Sequence, residues 1–187
     1  MIDTRKKLKD CLTLDSANYR TQTSGLFHYL HYNIFSNPIT NQKYIWLYIK
    51  TLRYCEYHIN TKGVFHKFAE LFYLRRLRQF SYRTGFQIPP NVCGPGLTIY
   101  HYGPIIINSN VHIGCNCTLY PGVLIGWKGP DRKECAIIGD HVFIGSGTKI
   151  IGGVHLGNHV TIAPGSIVIK DIEDNTVVGG SSCRNLK

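Results

Sequence analysis

From residue 105 onward a large aliphatic residue returns at every sixth position. Cut at that step, the chain reads IIINSN, VHIGCN, CTLYPG and VLIGWK, then, after an interruption, VFIGSG, TKIIGG, VHLGNH, VTIAPG and SIVIKD. The third place of these nine blocks is filled by Ile107, Ile113, Leu119, Ile125, Ile144, Ile150, Leu156, Ile162 and Val168. Such a period matches neither an α-helix, which repeats at about 3.6 residues, nor a strand that simply alternates its faces. It matches short strands joined by turns and stacked as a parallel β-helix, each block forming one face of a triangular coil. The aliphatic side chain then points into the prism, and the Gly, Asn and Pro around it let the backbone turn the corner. Coils stack about 4.8 Å apart, as paired strands do, and residues 90–180 supply about five of them.

The phase slips once. Nineteen residues separate Ile125 from Ile144, which is not a multiple of six. A loop rich in Gly, Pro and charge is therefore expected to leave the prism near residues 129–134, and in so regular a solenoid such a loop points to function.

Upstream of Gly85 the texture is different. Over 44–57 and 64–82 the apolar residues recur at helical spacing, with Val64, Phe68, Leu71 and Phe72 at i, i+4, i+7 and i+8. Asn60, Thr61 and Gly63 separate two amphipathic helices, and Gly85 caps the second. Residues 3–36 have weaker periodicity and read as short helices and loops up to Asn37-Pro38. The expected fold is mainly β: an α-helical N-terminal region over 1–85 followed by a β-helix over 86–187, a length that buries a core without covalent staples.

Charge is concentrated in the first half. The whole chain carries a formal +10, and residues 1–85 hold 14 Lys and Arg against 5 Asp and Glu. A located positive field suggests nucleic acid, a membrane surface or an acidic ligand. No nucleic-acid reader motif is visible, and LRRLRQFSYR, with Arg75, Arg76, Arg78 and Arg83, reads better as a helix packed against the prism. The seven cysteines are odd in number and contain no C-x-x-C, so neither a disulfide framework nor a zinc site is spelled out, and free thiols in a reducing cytoplasm are expected. Cys115 and Cys117 read as small residues of the repeat. The basic start lacks the apolar stretch of a signal peptide, and the run at 44–50 stops at Lys50, so neither export nor a membrane span is expected.

The stretch GPGLTIYHYGPIIINSNVHIGCNCTLYPGVLIGWKG resembles the left-handed β-helix hexapeptide acyltransferases. Within them it is similar to the serine acetyltransferase branch, and to the short members of that branch encoded beside capsule, exopolysaccharide and O-antigen enzymes. The likeness covers residues 70–181 well and the helical start loosely. It implies an acetyl-CoA-dependent O-acetyltransferase without a metal, assembled as a homotrimer with its sites in clefts between adjacent prisms, and it leaves open a pairing of trimers through the helices. It implies that His101, in LTIYHYGPIII, takes the proton of the acceptor hydroxyl. It also implies that the pantetheine arm of acetyl-CoA lies along Gly126, Gly145, Ser146, Gly147, Ala163 and Pro164, with Lys170, and less so Lys149, near the CoA phosphates. A hydroxyl is too weak an acid to ionise freely at neutral pH, so an imidazole working near its ordinary pKa of about 6.5 suits the task, and a backbone N–H would meet the developing oxyanion.

Two readings of His101 stand side by side. Counting back six from Ile107 makes it an inward core histidine, whereas Gly103-Pro104 beside it can shift the phase and turn the ring outward, as the family motif requires. His112 and His155 each precede an inward aliphatic residue and should point outward. His141 and His159 sit near corners, and His28, His31, His58 and His66 lie in the helical region with no second ligand at metal spacing. None of these is expected to be catalytic.

Between Glu70 and Asp131 there is no Asp or Glu. Serine acetyltransferases proper set an Asp against the histidine and carry an acid just before it, where this chain has Tyr100. His101 would then be oriented by a backbone carbonyl, by an asparagine such as Asn108, or by a neighbouring subunit. The missing carboxylate also argues against a zwitterionic acceptor, whose ammonium needs a counter-charge. Tyr100, Tyr102 and Trp127 offer flat faces to a saccharide, or are ordinary cleft aromatics. The function expected is acetylation of a sugar hydroxyl in a surface polysaccharide or its precursor, in the cytoplasm, with the basic helices in peripheral contact with an anionic membrane face. Serine O-acetylation in cysteine biosynthesis and a non-catalytic binding solenoid are the alternatives.

Overall fold

The computed structural model describes residues 1–19, 42–129, 134–181 and 184–185. Helices α1 (Arg5–Ala17), α2 (Lys43–Asn60) and α3 (Val64–Thr84) precede a left-handed parallel β-helix. Its first sheet runs β1 (Phe86–Gln87), β3 (Ile105–Ile107), β6 (Leu124–Gly126), β9 (Lys149–Ile151), β12 (Ile167–Val168). The second runs β4 (His112–Ile113), β7 (Ile137–Ile138), β10 (His155–Leu156). The third runs β2 (Thr98–Ile99), β5 (Thr118–Leu119), β8 (Phe143–Ile144), β11 (Thr161–Ile162), β13 (Val177–Gly179), β14 (Arg184–Asn185). The pairings are parallel throughout, except that β14 folds back antiparallel on β13.

All nine residues of the six-residue column are buried, and stacked strands place them one above another, as in Ile107↔Ile125↔Ile150 and Leu119↔Ile144↔Ile162. Each such side chain contributes roughly 1.5–3 kcal/mol by leaving water. Ile138 is a further member, paired with Ile113 and Leu156. Since six residues separate it from Ile144 and 13 separate it from Ile125, the whole slip lies between Ile125 and Ile138. The expected loop falls there, but its residues 130–133 lie outside the described residues. A second inward column sits two places earlier in each block and includes Cys117, Thr148 and Ser166, all buried. Burial pushes the Cys117 thiol up to about 11, so it is a packing residue rather than a nucleophile.

The helices close the end of the prism where the first coil begins. Ile45, Tyr48, Ile49 and Leu52 of α2 share one buried cluster with Phe86, Ile88, Leu97 and the aliphatic columns. Beneath it lies an ionic knot. Arg53, 1 % exposed, reaches Asp15 of α1 at 2.8 Å and Glu56 at 3.0 Å, and donates to the carbonyls of Cys93 and Gly94. Asp15 in turn accepts from the N–H groups of Gly96 and Leu97, and Glu56 from that of Asn91. Three charged side chains thus satisfy five backbone groups on the open edge of the first coil, an edge that would otherwise be free to pair with another chain.

Helix α3 has the expected period but a different packed face. Leu77, Phe80 and Thr84 are buried, while Val64, Phe68, Leu71 and Phe72 are all more than half exposed. Arg76 and Arg83 lie over the rings of Phe80 and Tyr44. The helix ends as expected at Gly85, whose φ of +85° is left-handed and whose N–H bonds the carbonyl of Ser81 at 2.8 Å. A Cβ there would sit 2.9 Å from the backbone of Gly103, so glycine allows both the cap and a close approach to the corner described next. Among the described residues no helix is long and apolar enough to cross a membrane.

Candidate functional site

The place of His101 is decided by strand register. Ile99 pairs with Leu119, 20 residues on, whereas Ile107 pairs with Ile125, 18 residues on. The inward residue is therefore Ile99, and eight residues rather than six carry the chain to Ile107. The two added residues swell the corner between the third and first sheets. Corner bonds locate the swelling: Gly122, Gly147 and Gly165 donate to the carbonyls of Pro104, Pro121 and Ser146. Pro104 thus holds the place that Pro121 holds one coil later, and 100–103 stand out from the prism. His101 is exposed on this bulge. The core reading of His101 does not apply, because the strict count of six omits the bulge.

One aromatic ring stands against the histidine and others stack behind it. The Tyr120 ring lies 5.9 Å from His101 and 5.5 Å from Tyr100, and Phe143 lies 5.3 Å beyond Tyr120. Tyr102 is half-buried against the prism core. Tyr120 was absent from the sequence expectations, although it sits 20 residues after Tyr100, the same separation as Ile99 and Leu119, and that interval is the signal that finds it. Among the described residues no carboxylate pairs with His101. Asn108 does not orient it either: its side-chain oxygen accepts from the Asn110 N–H and the Cys135 thiol at a different corner.

Along the same corner the side chains shrink. Tyr100 and Tyr120 are followed, coil by coil, by Gly145 and Ala163, as the bonds Tyr120 N–H to Ile144 and Gly145 N–H to Ile162 require. Ser146 is exposed and donates to the Pro121 carbonyl at 2.7 Å, and Pro164 is exposed. Gly145 has a packing reason of its own, since a Cβ would stand 2.6 Å from the Pro164 nitrogen. Gly147 turns the corner at a φ of +74°. The remaining candidates lie on the next edge of the prism. Gly126 pairs with Ile151, and continuing that register puts Trp127 and Lys170 on one column, both exposed. A Cβ on Gly126 would meet nothing within 4 Å, and Lys149 points outward from the first sheet between the two edges. One chain therefore gathers Tyr100, His101, Tyr102, Ser146 and Pro164 on one edge, and Gly126, Trp127 and Lys170 on another.

The other histidines are placed as follows. His112 and His155 are exposed on the second sheet, as alternation requires. His141 and His159 occupy left-handed corner positions, their rings stacked 4.7 Å apart. His58 and His66, of α2 and α3, bring their Nδ1 atoms within 2.9 Å, a pairing that helical spacing alone does not reveal. His28 and His31 lie outside the described residues.

Residues 135–170 match the family described as bacterial transferase hexapeptide, six repeats. The chain is 31 % identical over 124 residues to a serine acetyltransferase of Helicobacter pylori, covering 65 % of this chain and 72 % of that protein. It is 33 % identical over 127 residues to a serine acetyltransferase of Synechococcus elongatus, covering 62 % of this chain and 52 % of that protein, so it spans about half the length of that relative. A solved soybean serine acetyltransferase complexed with serine superposes with a TM-score of 0.72 at 20 % identity, over 96 % of this chain and 69 % of that one, a likeness of fold. These relatives overturn the expectation of a sugar acceptor in polysaccharide synthesis, since they are serine acetyltransferases. A stretch of sequence without carboxylates is not a volume without them. Asp15 and Glu56, both outside that stretch in sequence, reach the first coil.

Proposed function

Because the chain belongs to the serine acetyltransferase family of hexapeptide-repeat transferases, we propose that it transfers the acetyl group of acetyl-CoA to the hydroxyl of serine. The observation that carries this reading is the two-residue bulge that turns His101 out of the prism. An exposed imidazole beside the Tyr120 ring is suited to accept the hydroxyl proton as the oxygen attacks the thioester carbonyl, and to return that proton to the departing CoA thiolate. Atoms balance with one proton shuttled and no other reagent: O-acetylserine and CoA are the products. Tyr100 and Tyr102 flank the acceptor, and Trp127 closes the cleft from the facing edge.

The working unit in this reading is a trimer in which the His101 edge of one prism faces the Gly126, Trp127 and Lys170 edge of its neighbour. Acetyl-CoA then lies between them, along Gly145, Ser146, Gly147, Ala163 and Pro164, with Lys170 close to its phosphates. Residues 86–187 form the transferase domain and 1–85 its helical cap. Contact of that cap with an anionic membrane loses its motive once a lipid-carried sugar is set aside. The test is release of free CoA thiol with serine as acceptor. His101→Ala should lower kcat by about 100- to 10,000-fold, the usual share of a general base, with the trimer and its thermal midpoint kept. Wild-type protein that releases no thiol with serine, or a variant that retains kcat, refutes the proposal.

A further inference from the structure

The bulge that carries His101 is not held by its own sheet. Its strand, β2, is the last of the third sheet, so one edge of Ile99 faces away from the prism with both of its backbone groups in need of partners. A single side chain serves both. The Tyr19 hydroxyl accepts from the Ile99 N–H at 2.5 Å and donates to the Ile99 carbonyl at 3.1 Å, two residues before His101. The phenol is itself held, stacked on Trp46 of α2 with centroids 5.9 Å apart, and its hydroxyl is kept protonated by burial. Gln42 donates to the carbonyl of Tyr100 at 3.2 Å, and at the far end of the bulge Gly103 donates to the Thr84 carbonyl of α3 at 3.0 Å. Every one of these anchors belongs to the helical region.

We infer that Tyr19 is a positioning residue for His101: its hydroxyl fixes the end of β2 and so sets where the imidazole stands in the cleft. The inference rests on the proposed role of His101. Its chemistry is geometric, since displacement of a catalytic group by about 1 Å costs on the order of 100-fold in rate. The same fold supplies a control. Tyr48 makes a like clamp on Ile88, accepting from its N–H and donating to its carbonyl, both at 3.1 Å, at the end of β1 and four residues beyond Thr84, the residue of that segment that bonds the bulge. Tyr48 is buried and Tyr19 partly buried, both lose only a hydroxyl on changing to Phe, and both changes leave two backbone groups unsatisfied.

Tyr19→Phe and Tyr48→Phe are compared in the full-length protein by kcat, by KM for acetyl-CoA, by thermal midpoint, and by mass-resolved amide exchange. Tyr19→Phe is expected to lower kcat at least about tenfold with KM for acetyl-CoA within about twofold, and to speed exchange over residues 98–104. Tyr48→Phe should lower the midpoint by a similar amount, speed exchange near residues 86–90, and leave kcat within about twofold. Equal losses of kcat in the two variants, or none in Tyr19→Phe, overturn the inference and reduce Tyr19 to a stabilising contact. Failure of the wild type to acetylate serine removes the acceptor assignment alone, because the exchange comparison still decides whether Tyr19 holds the bulge. Unchanged exchange over 98–104 in Tyr19→Phe overturns the inference whatever the acceptor.

Discussion

Replacing Arg53 with Met should be among the most damaging single changes in the chain, and the damage should depend on pH in a specific direction. Methionine keeps much of the apolar stem but removes the guanidinium that sits 2.8 Å from Asp15 and 3.0 Å from Glu56, all three side chains almost fully buried. Removing one partner of a buried ion pair costs about 3–5 kcal/mol, because the other charge is left without compensation. The carbonyls of Cys93 and Gly94 lose their donor at the same time, which favours the upper end of that range. For a chain of this size about 1 kcal/mol moves the midpoint by roughly 2–4 °C, so a fall of about 10 °C is expected. Burial already raises the Glu56 carboxyl above its usual range even with Arg53 beside it. Without Arg53, which holds the Glu56 carboxyl down, that group should rise further, so the folded variant binds more protons than the unfolded chain and recovers stability as pH falls. Urea unfolding of both proteins at pH 8 and pH 5.5, at one protomer concentration, measures the gap. A difference under about 1 kcal/mol at pH 8, or a gap that does not narrow at pH 5.5, would refute the account. Replacing all three side chains by apolar ones should not rescue the fold, unlike a simple buried pair, because Gly96, Leu97 and Asn91 would lose the acceptors of their N–H groups.

Two further outcomes are expected. His58 titrates below its usual range because burial, and then His66, disfavour its charged form; the unfolded chain therefore binds the extra proton, and stability should fall as pH drops from about 6.5 toward the lowered folded value. His66→Ala should flatten part of that slope in chemical unfolding followed from pH 7.5 to 5.5, and a slope unchanged by it would remove the pair as its source. Gly145→Ala should lower the thermal midpoint by several degrees, since its new carbon meets backbone of the next coil at 2.6–2.9 Å and neither strand can yield without breaking the column; a variant as stable as wild type would show that the coils are looser than their spacing implies.

How much could be read in advance follows from what repeats. The aliphatic column was visible because one inward position recurs in every block, and Gly103-Pro104 marked the place where the phase shifts. The direction of that shift was not visible: only the pairing of Ile99 with Leu119 shows that His101 lies outside the count. Charged residues on apolar helical stripes carried a signal that went unused. Asp15 follows Leu8 and Cys11 at i+7 and i+4, and Arg53 follows Ile49 at i+4, so both were bound to be buried if those stripes were. The apolar stripe of α3 pointed the other way, to a face that this chain leaves exposed.

The order of residues determined by itself that this chain winds into a prism behind a helical cap, because a hydrophobic position repeated every six residues has one economical way to leave water. It also placed a histidine beside Gly103-Pro104, at one of the corners where the early coils depart from the count of six. Tertiary structure alone decided that the ring faces solvent, that Tyr120 stands against it, and that Tyr19, Gln42 and Thr84 of the helical region hold the bulge on which it rides. Those facts depend on contacts between segments some 80 residues apart, such as Tyr19 with Ile99, and no local period records a bond across that distance.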